Sequence, residues 1–164
     1  MPEPRPSRQR IPDRGEYGAP GETPPEQALP WSTVERRLEE ARYFWIATTR
    51  PDGSPTTVPI WAVWFSGCLY FSTSPETATA RNLAAHPQAI AHTESAVEVV
   101  ILEGTAAVLP GDGVPVGVVD AYESKYGWRL DPADPGMPYF ALTPRVARTW
   151  LGENVRGTAV RWLF

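Results

Sequence analysis

The stretch Phe71-Ser72-Thr73-Ser74-Pro75-Glu76-Thr77-Ala78-Thr79-Ala80-Arg81-Asn82-Leu83 gathers five hydroxyls, a guanidinium and an amide within thirteen residues. They fall where a strand ends and a helix begins. Free N–H groups at a helix N-terminus, nearby hydroxyls and one arginine form a ready site for a phosphate monoester. The same residues describe equally well a plain helix start, with Ser74 as cap, Pro75 in the first turn and a solvated threonine face. Upstream, Pro59, Ile60, Trp61 and Trp64 lie on a strand expected to pair with Cys68–Thr73, which offers a flat apolar wall. Tryptophans in such a sheet also serve as core or as subunit interface. A planar ring carrying a phosphorylated tail would suit both halves.

Other chemistries have less to build on. Cys68 is the only cysteine and has neither His86 nor His92 near it in sequence, so it reads as a structural thiol rather than a nucleophile. One cysteine and two histidines at unsuited spacings make no recognisable zinc site. His86 reads as a helix-end residue, where a cation meets the negative end of the helix dipole. Glu94, Glu98 and Glu103 sit in or beside strands, and Glu103, within a valine-rich run, is expected to face outward or to pair with an arginine. The sequence contains no G-x-S-x-G, P-loop or G-x-G-x-x-G run, so hydrolase, P-loop and Rossmann readings lack their signatures.

The elements that must position these groups follow from patterning. A chain of 164 residues fits one domain, with 42% hydrophobic residues to build its core. A net charge of −4 argues against a general hold on nucleic acid, and no apolar run reaches the roughly 18 residues of a membrane span. With no signal-like start at Met1 and no disulfide partner for Cys68, the cytoplasm is the expected compartment.

Residues 1–30 read as a disordered, proline-rich tail, and the folded domain as 31–164. Ser32 and Glu35 have capping-box spacing, which predicts a helix over Ser32–Arg42. Strands are expected at Tyr43–Thr49, Pro55–Phe65 and Cys68–Thr73, joined by tight turns at Arg50–Gly53 and Ser66-Gly67. A helix follows over Ser74–His86, then strands at Ala89–Thr93 and Val97–Leu109, with Gly104 as a bulge. Val116–Tyr126 reads as a helix ending at Gly127, Asp131–Pro138 as a linker, and Tyr139–Leu142, Arg145–Leu151 and Thr158–Leu163 as closing strands. This pattern is mainly β with short flanking helices, an α+β barrel or sandwich.

Several segments in order resemble the pyridoxamine 5′-phosphate oxidase-like family. They are Trp45-Ile46-Ala47-Thr48-Thr49 with Pro51-Asp52-Gly53, Thr57-Val58-Pro59-Ile60-Trp61, Leu69-Tyr70-Phe71-Ser72-Thr73, Ala80-Arg81-Asn82-Leu83 with His86-Pro87, and Leu102-Glu103-Gly104-Thr105-Ala106. The likeness is good over Ser32–Leu109 and looser to Phe164, where Tyr126-Gly127-Trp128 and Thr158–Phe164 look like the family's actinobacterial branch.

The resemblance implies a six-stranded antiparallel split β-barrel, a homodimer, and FMN or the deazaflavin coenzyme F-420 in a groove at the subunit interface. It implies that Val58, Pro59, Ile60 and Trp61 touch the tricyclic ring and that Ser72, Thr73, Ser74, Thr77, Thr79, Arg81 and Asn82 hold the phosphate. The function implied is hydride transfer to a small organic substrate; the alternative is a non-catalytic protein that binds a flavin, haem or other planar ligand. It names no catalytic residue. The chain departs from the family where many relatives carry a lysine and this sequence has Thr79. Losing a charge-assisted bond of about 1.5 to 3 kcal/mol would weaken a phosphate hold about ten- to a hundredfold, leaving Arg81 as its cation.

Overall fold

Period-two patterning along the strands sorts the side chains. In β2 (Phe44–Thr49), Phe44, Ile46 and Thr48 are buried while Trp45, Ala47 and Thr49 point outward. In β5 (Cys68–Ser72), Leu69 and Phe71 face one side of the sheet and Tyr70 the other. The computed structural model describes residues 3–8 and 29–164. Besides β2 and β5, the strands are β1 (Arg5–Arg8), β3 (Pro55–Ile60), β4 (Ala62–Phe65), β6 (Gln88–Thr93), β7 (Glu98–Val108), β8 (Tyr139–Leu151) and β9 (Val160–Leu163). The helices are α1 (Trp31–Glu40), α2 (Ala78–Ala85), α3 (Val116–Tyr126) and the single turn α4 (Val155–Thr158).

All strand pairings are antiparallel, and they close on themselves. β2 pairs with β3 on one side and with β6 on the other; β6 pairs with β7, β7 with β8, β8 with β5, and β5 with β4. Because β3 runs into β4 through the single residue Trp61, taking them as one interrupted strand gives a ring of six. This is the split barrel, and closure covers most of the edge that a flat sheet would present, leaving open the edge of β3 away from β2. β9 and β1 extend the sheet beyond β8.

Phe44, Ile46, Leu69, Phe71, Leu102 and Leu142 fill the interior, and α1 adds Trp31, Val34 and Leu38 to it. Each such side chain contributes about 1.5 to 3 kcal/mol by leaving water. A second cluster lies outside β4, β5 and β8, where Val118, Val119 and Tyr122 of α3 cover Val63, Tyr70 and Tyr139. That corner of the sheet is therefore buried on both faces.

Several expectations change. The tail is not wholly without structure, since Arg5–Arg8 pairs with β9, from Arg5 opposite Leu163 to Arg8 opposite Val160. The rest of the expected tail, 9–28, lies outside the described residues. α1 begins at Trp31 with Pro30 as its cap, and the Ser32–Glu35 capping box does not form. Glu35 instead accepts a bond from the Trp64 indole at 3.2 Å, a tertiary partner outcompeting a local one. α2 starts four residues late, because Thr77 rather than Ser74 caps it by accepting from the Ala80 N–H at 3.2 Å. β8 is one strand where two were expected, the break after Pro144 being absorbed as a bulge in which Arg145 is the extra residue.

Other expectations hold. An irregularity does fall at Gly104, but the extra residue is Arg145 on β8, opposite the step from Glu103 to Gly104, and a Cβ on Gly104 would run into the Thr143 carbonyl oxygen. Ser66 and Gly67 both have positive φ, 48° and 81°, the mirror-image turn that matches hairpin twist.

Candidate functional site

The sequence places an aromatic residue at the point where one strand changes partner. β4 pairs with β5 from Phe65 opposite Cys68 to Ala62 opposite Phe71. Continued by two steps, that register would set Trp61 against Ser72 and Ile60 against Thr73. It does not continue: Ile60 pairs with Phe44 on β2, and Ser72 pairs with Tyr139 on β8. Among the described residues, the edge of β3 away from β2 therefore has no partner strand. The single strand expected over Pro55–Phe65 is thus two strands, β3 and β4.

On the polar side, the residues divide. Ser72 Oγ donates to the Met137 carbonyl at 2.7 Å. The Thr73 and Thr77 hydroxyls are bonded to each other at 3.1 Å, and Thr77 Oγ1 donates to Ser74 O at 2.9 Å. Ser74 Oγ accepts from the Glu76 N–H at 3.2 Å. Arg81 is exposed, and its guanidinium donates to Glu76 O at 2.5 Å, which folds it back over the helix start. These groups surround the first turn of α2.

Thr79 and Asn82 do not join them. They are 8% and 3% exposed, and Asn82 Nδ2 donates to Thr48 Oγ1 at 2.9 Å. At helical spacing, Thr79 and Asn82 fall on the face that packs against the barrel, so both are packing residues of α2 in this chain. The Asn82–Thr48 bond ties the helix to β2 and so fixes its start beside β3, because Thr48 is paired with Thr56. Thr48 was missed by the sequence reading; its signal was a hydroxyl at an inward position of an apolar strand.

On the apolar side, Val58 and Trp61 are 37% and 40% exposed, and Pro59 is exposed beside Trp45. The two-tryptophan wall is corrected: Trp64 is 5% exposed and faces the core, while Trp61 stands outside. Trp61 stacks on Tyr126, with ring centroids 4.7 Å apart and planes 4° apart, and Trp128 meets it edge-on at 6.4 Å.

The end of α3 holds this corner. Tyr126 OH accepts from the Ala62 N–H at 2.8 Å and lies 2.7 Å from Arg42 O, to which it donates. Lys125 Nζ donates to Ala41 O at 2.9 Å and to Ala62 O at 3.4 Å. Burial pushes the Lys125 ammonium down to about 8, against the opposing pull of Glu39. Burial also pushes Tyr126 up to about 12. In the sequence, Lys125 stood out only as the single lysine, and Tyr126 only through the helix pattern and the Tyr126-Gly127-Trp128 likeness.

The remaining candidates take structural parts. Glu103 is paired with Arg148 at 2.5 Å, as one of its two expected readings had it. Cys68 is half-buried in β5 with its sulfur 3.8 Å from the Thr143 hydroxyl. His86 stands at the C-cap of α2. Among the described residues, no group of three or more His, Cys, Asp or Glu side chains could hold a metal ion, and no helix is long and apolar enough to cross a membrane.

Comparison with known proteins follows the same lines. The family model of pyridoxamine 5′-phosphate oxidase matches residues 31–151. No curated protein matches in sequence. Among solved structures, an F-420 reductase is similar at 23% identity and TM-score 0.56, over 69% of this chain and 94% of that one. The haem storage protein HutZ from Vibrio cholerae is similar at 16% identity and TM-score 0.60, over 75% and 96%. A NimC/NimA family protein from Clostridium acetobutylicum is similar at 14% identity and TM-score 0.64, over 84% and 96%. At these identities the likeness is one of fold.

Proposed function

Because the chain belongs to the pyridoxamine 5′-phosphate oxidase family, we propose that it is an oxidoreductase that takes FMN or the deazaflavin coenzyme F-420 into the cleft of its split barrel. The observation that carries this reading is the change of strand partner at Trp61. It leaves one edge of β3 without a strand partner among the described residues, and a ring held along that edge with its phosphate at the hydroxyl-rich start of α2 would use both sets of residues. The residues suit such a ligand on both sides. Thr73, Thr77 and Arg81, with the first N–H groups of α2, offer donors to a phosphate; Val58, Pro59, Ile60 and Trp61 offer a surface for a flat ring.

When bound, the cofactor supplies hydride chemistry at its central ring; the protein contributes position, electrostatics and exclusion of water. Trp61 would be held for that purpose by its stack on Tyr126, and Arg81 would balance the phosphate charge. Since β3 leaves one edge open, a second copy of the chain would complete the pocket, making the working unit a homodimer. The substrate would be a small organic molecule entering from the side of Trp61.

A second reading is favoured by one observation. Thr79 is buried, and Arg81 is the one cation among the named polar residues of the cleft, so the hold on a phosphate is modest. A carrier of flavin, haem or another planar ligand needs no more than the wall. The test is a titration of the purified protein with FMN, F-420 and haem, followed by stopped-flow reoxidation of the reduced cofactor with an electron acceptor. Saturable binding of FMN or F-420 with turnover supports the enzyme, and binding of any of the three without turnover supports the carrier. Failure of all three to bind removes both.

A further inference from the structure

We propose that the cavity where the start of α1 meets the β4–β5 hairpin binds a small organic cation of the ammonium class. The cavity has a volume of about 440 Å³ and shares no residue with the cleft at Trp61. Trp31, Trp64 and Phe164 line it, together with the carboxylates of Glu35 and Glu3.

The α1 sequence creates this arrangement. Trp31 and Glu35 are four residues apart, so they stand one above the other on one helix face. Trp64 reaches them from β4, and its indole N–H donates to Glu35 Oε1 at 3.2 Å, which fixes that carboxylate beside the rings. Trp31 meets Trp64 at 64° with centroids 6.3 Å apart and Phe164 at 84° and 5.3 Å, so the rings stand as walls rather than as a stack. Trp31 and Trp64, each 5% exposed, form the fixed inner part, and Phe164, 38% exposed, the outer part.

Charge decides the class of ligand. The described lining residues bring two carboxylates and neither an ammonium nor a guanidinium. The N-terminus of α1 adds about half a positive charge, which the carboxylates outweigh. An anion would be repelled, and a neutral apolar molecule would leave the charge of Glu35 answered by the neutral Trp64 indole and not by a cation. An ammonium group satisfies both features, because it is drawn to aromatic rings and to a carboxylate together. Packing of Trp31 against Trp162 at 5.3 Å holds the inner wall in place beforehand, so little ordering is needed on binding.

The experiment is a titration of the isotope-labelled full chain with choline, following the Trp64 indole N–H by nuclear magnetic resonance. The neutral carbon isostere of choline serves as control. Choline should move that signal saturably, and the isostere should bind at least about tenfold more weakly. Glu35→Gln should weaken choline by about the same factor and leave the isostere unchanged, with the thermal midpoint confirming a folded variant. Should Glu35→Gln fail to fold, Ser32→Lys, at an exposed position on the rim, should weaken choline likewise. The proposal is overturned if the isostere binds as tightly as choline, if the Trp64 signal does not respond, or if the folded variants bind choline as the natural chain does.

Discussion

The indole of Trp61 lies parallel to the ring of Tyr126 at 4.7 Å, and the hydroxyl of the same tyrosine bonds the backbone of Ala62, the next residue along. The last residue of α3 thus grips the point at which β3 becomes β4. Tyr126→Phe keeps the stack but leaves the Ala62 N–H without its partner. It should cost about 1 to 3 kcal/mol in urea unfolding with an unchanged m-value. Tyr126→Ala removes the stack as well and should cost more, with a red shift of tryptophan emission as Trp61 gains water.

Lys125 gives the protein a pH-dependent element. Its folded pKa, about 8, lies below the usual lysine value near 10.5, so the unfolded chain holds its proton more tightly. Stability should therefore rise as pH increases through the window from about 8 to 10.5, and the penalty for burying the charge is fully present below 8. The side chain is only half-buried, so solvent screening reduces the gain to about 1 kcal/mol. Lys125→Met should flatten this rise, which unfolding midpoints at pH 7 and at pH near 10 would show.

The Asn82–Thr48 bond joins two buried side chains across the helix–strand contact. Asn82→Ala strands the Thr48 hydroxyl and loosens α2, at a cost of about 1 to 3 kcal/mol. Thr48→Val in the Asn82→Ala background should recover part of that loss, because no buried polar group is then left alone. A double-mutant cycle in urea measures the coupling; simple additivity would mean that the two residues do not depend on each other.

Gly104 is fixed by space rather than by φ. A methyl group there meets the Thr143 carbonyl and sits 2.8 Å from Pro144 Cα, both backbone atoms that cannot turn away. Gly104→Ala should lose about 1 to 3 kcal/mol or more and lower the yield of folded protein, measured by thermal unfolding. Gly53, whose φ of 86° is positive but whose Cβ would meet nothing within 4 Å, should show only the smaller backbone cost.

These contacts also mark what the sequence could and could not disclose. Alternation along Phe44–Thr49 and Cys68–Ser72 and the glycine at 104 were legible because each depends on local residue types. The split at Trp61 was not. Pro55–Phe65 reads as one extended run, and it is broken by pairing with two different strands, β2 over Pro55–Ile60 and β5 over Ala62–Phe65. Glu35 was misjudged, and the burial of Thr79 was missed, for a related reason. A capping box and a cofactor ligand are local patterns, whereas Trp64 and the barrel wall, which take those side chains, come from elsewhere in the chain. Pairing of Arg5–Arg8 with β9 spans nearly the whole chain and has no apolar signature at all.

Arg81 carries the phosphate half of the proposed site, and its position makes that half separable from the ring half. The guanidinium is exposed and, among the described residues, bonded to the Glu76 carbonyl alone, so Arg81→Gln should leave stability within about 0.5 kcal/mol. Affinity for FMN should nevertheless fall about tenfold, and more steeply at low salt, because a charge-assisted bond to phosphate is lost. Riboflavin, which has the ring and no phosphate, should bind the variant and the natural chain alike. Thr77→Ala should weaken FMN too, but with about 1 kcal/mol of lost stability from the helix cap, which distinguishes it from Arg81→Gln. Equal loss of riboflavin and FMN in Arg81→Gln would move the arginine to the ring side of the cleft. No loss of either would take the phosphate away from α2 altogether.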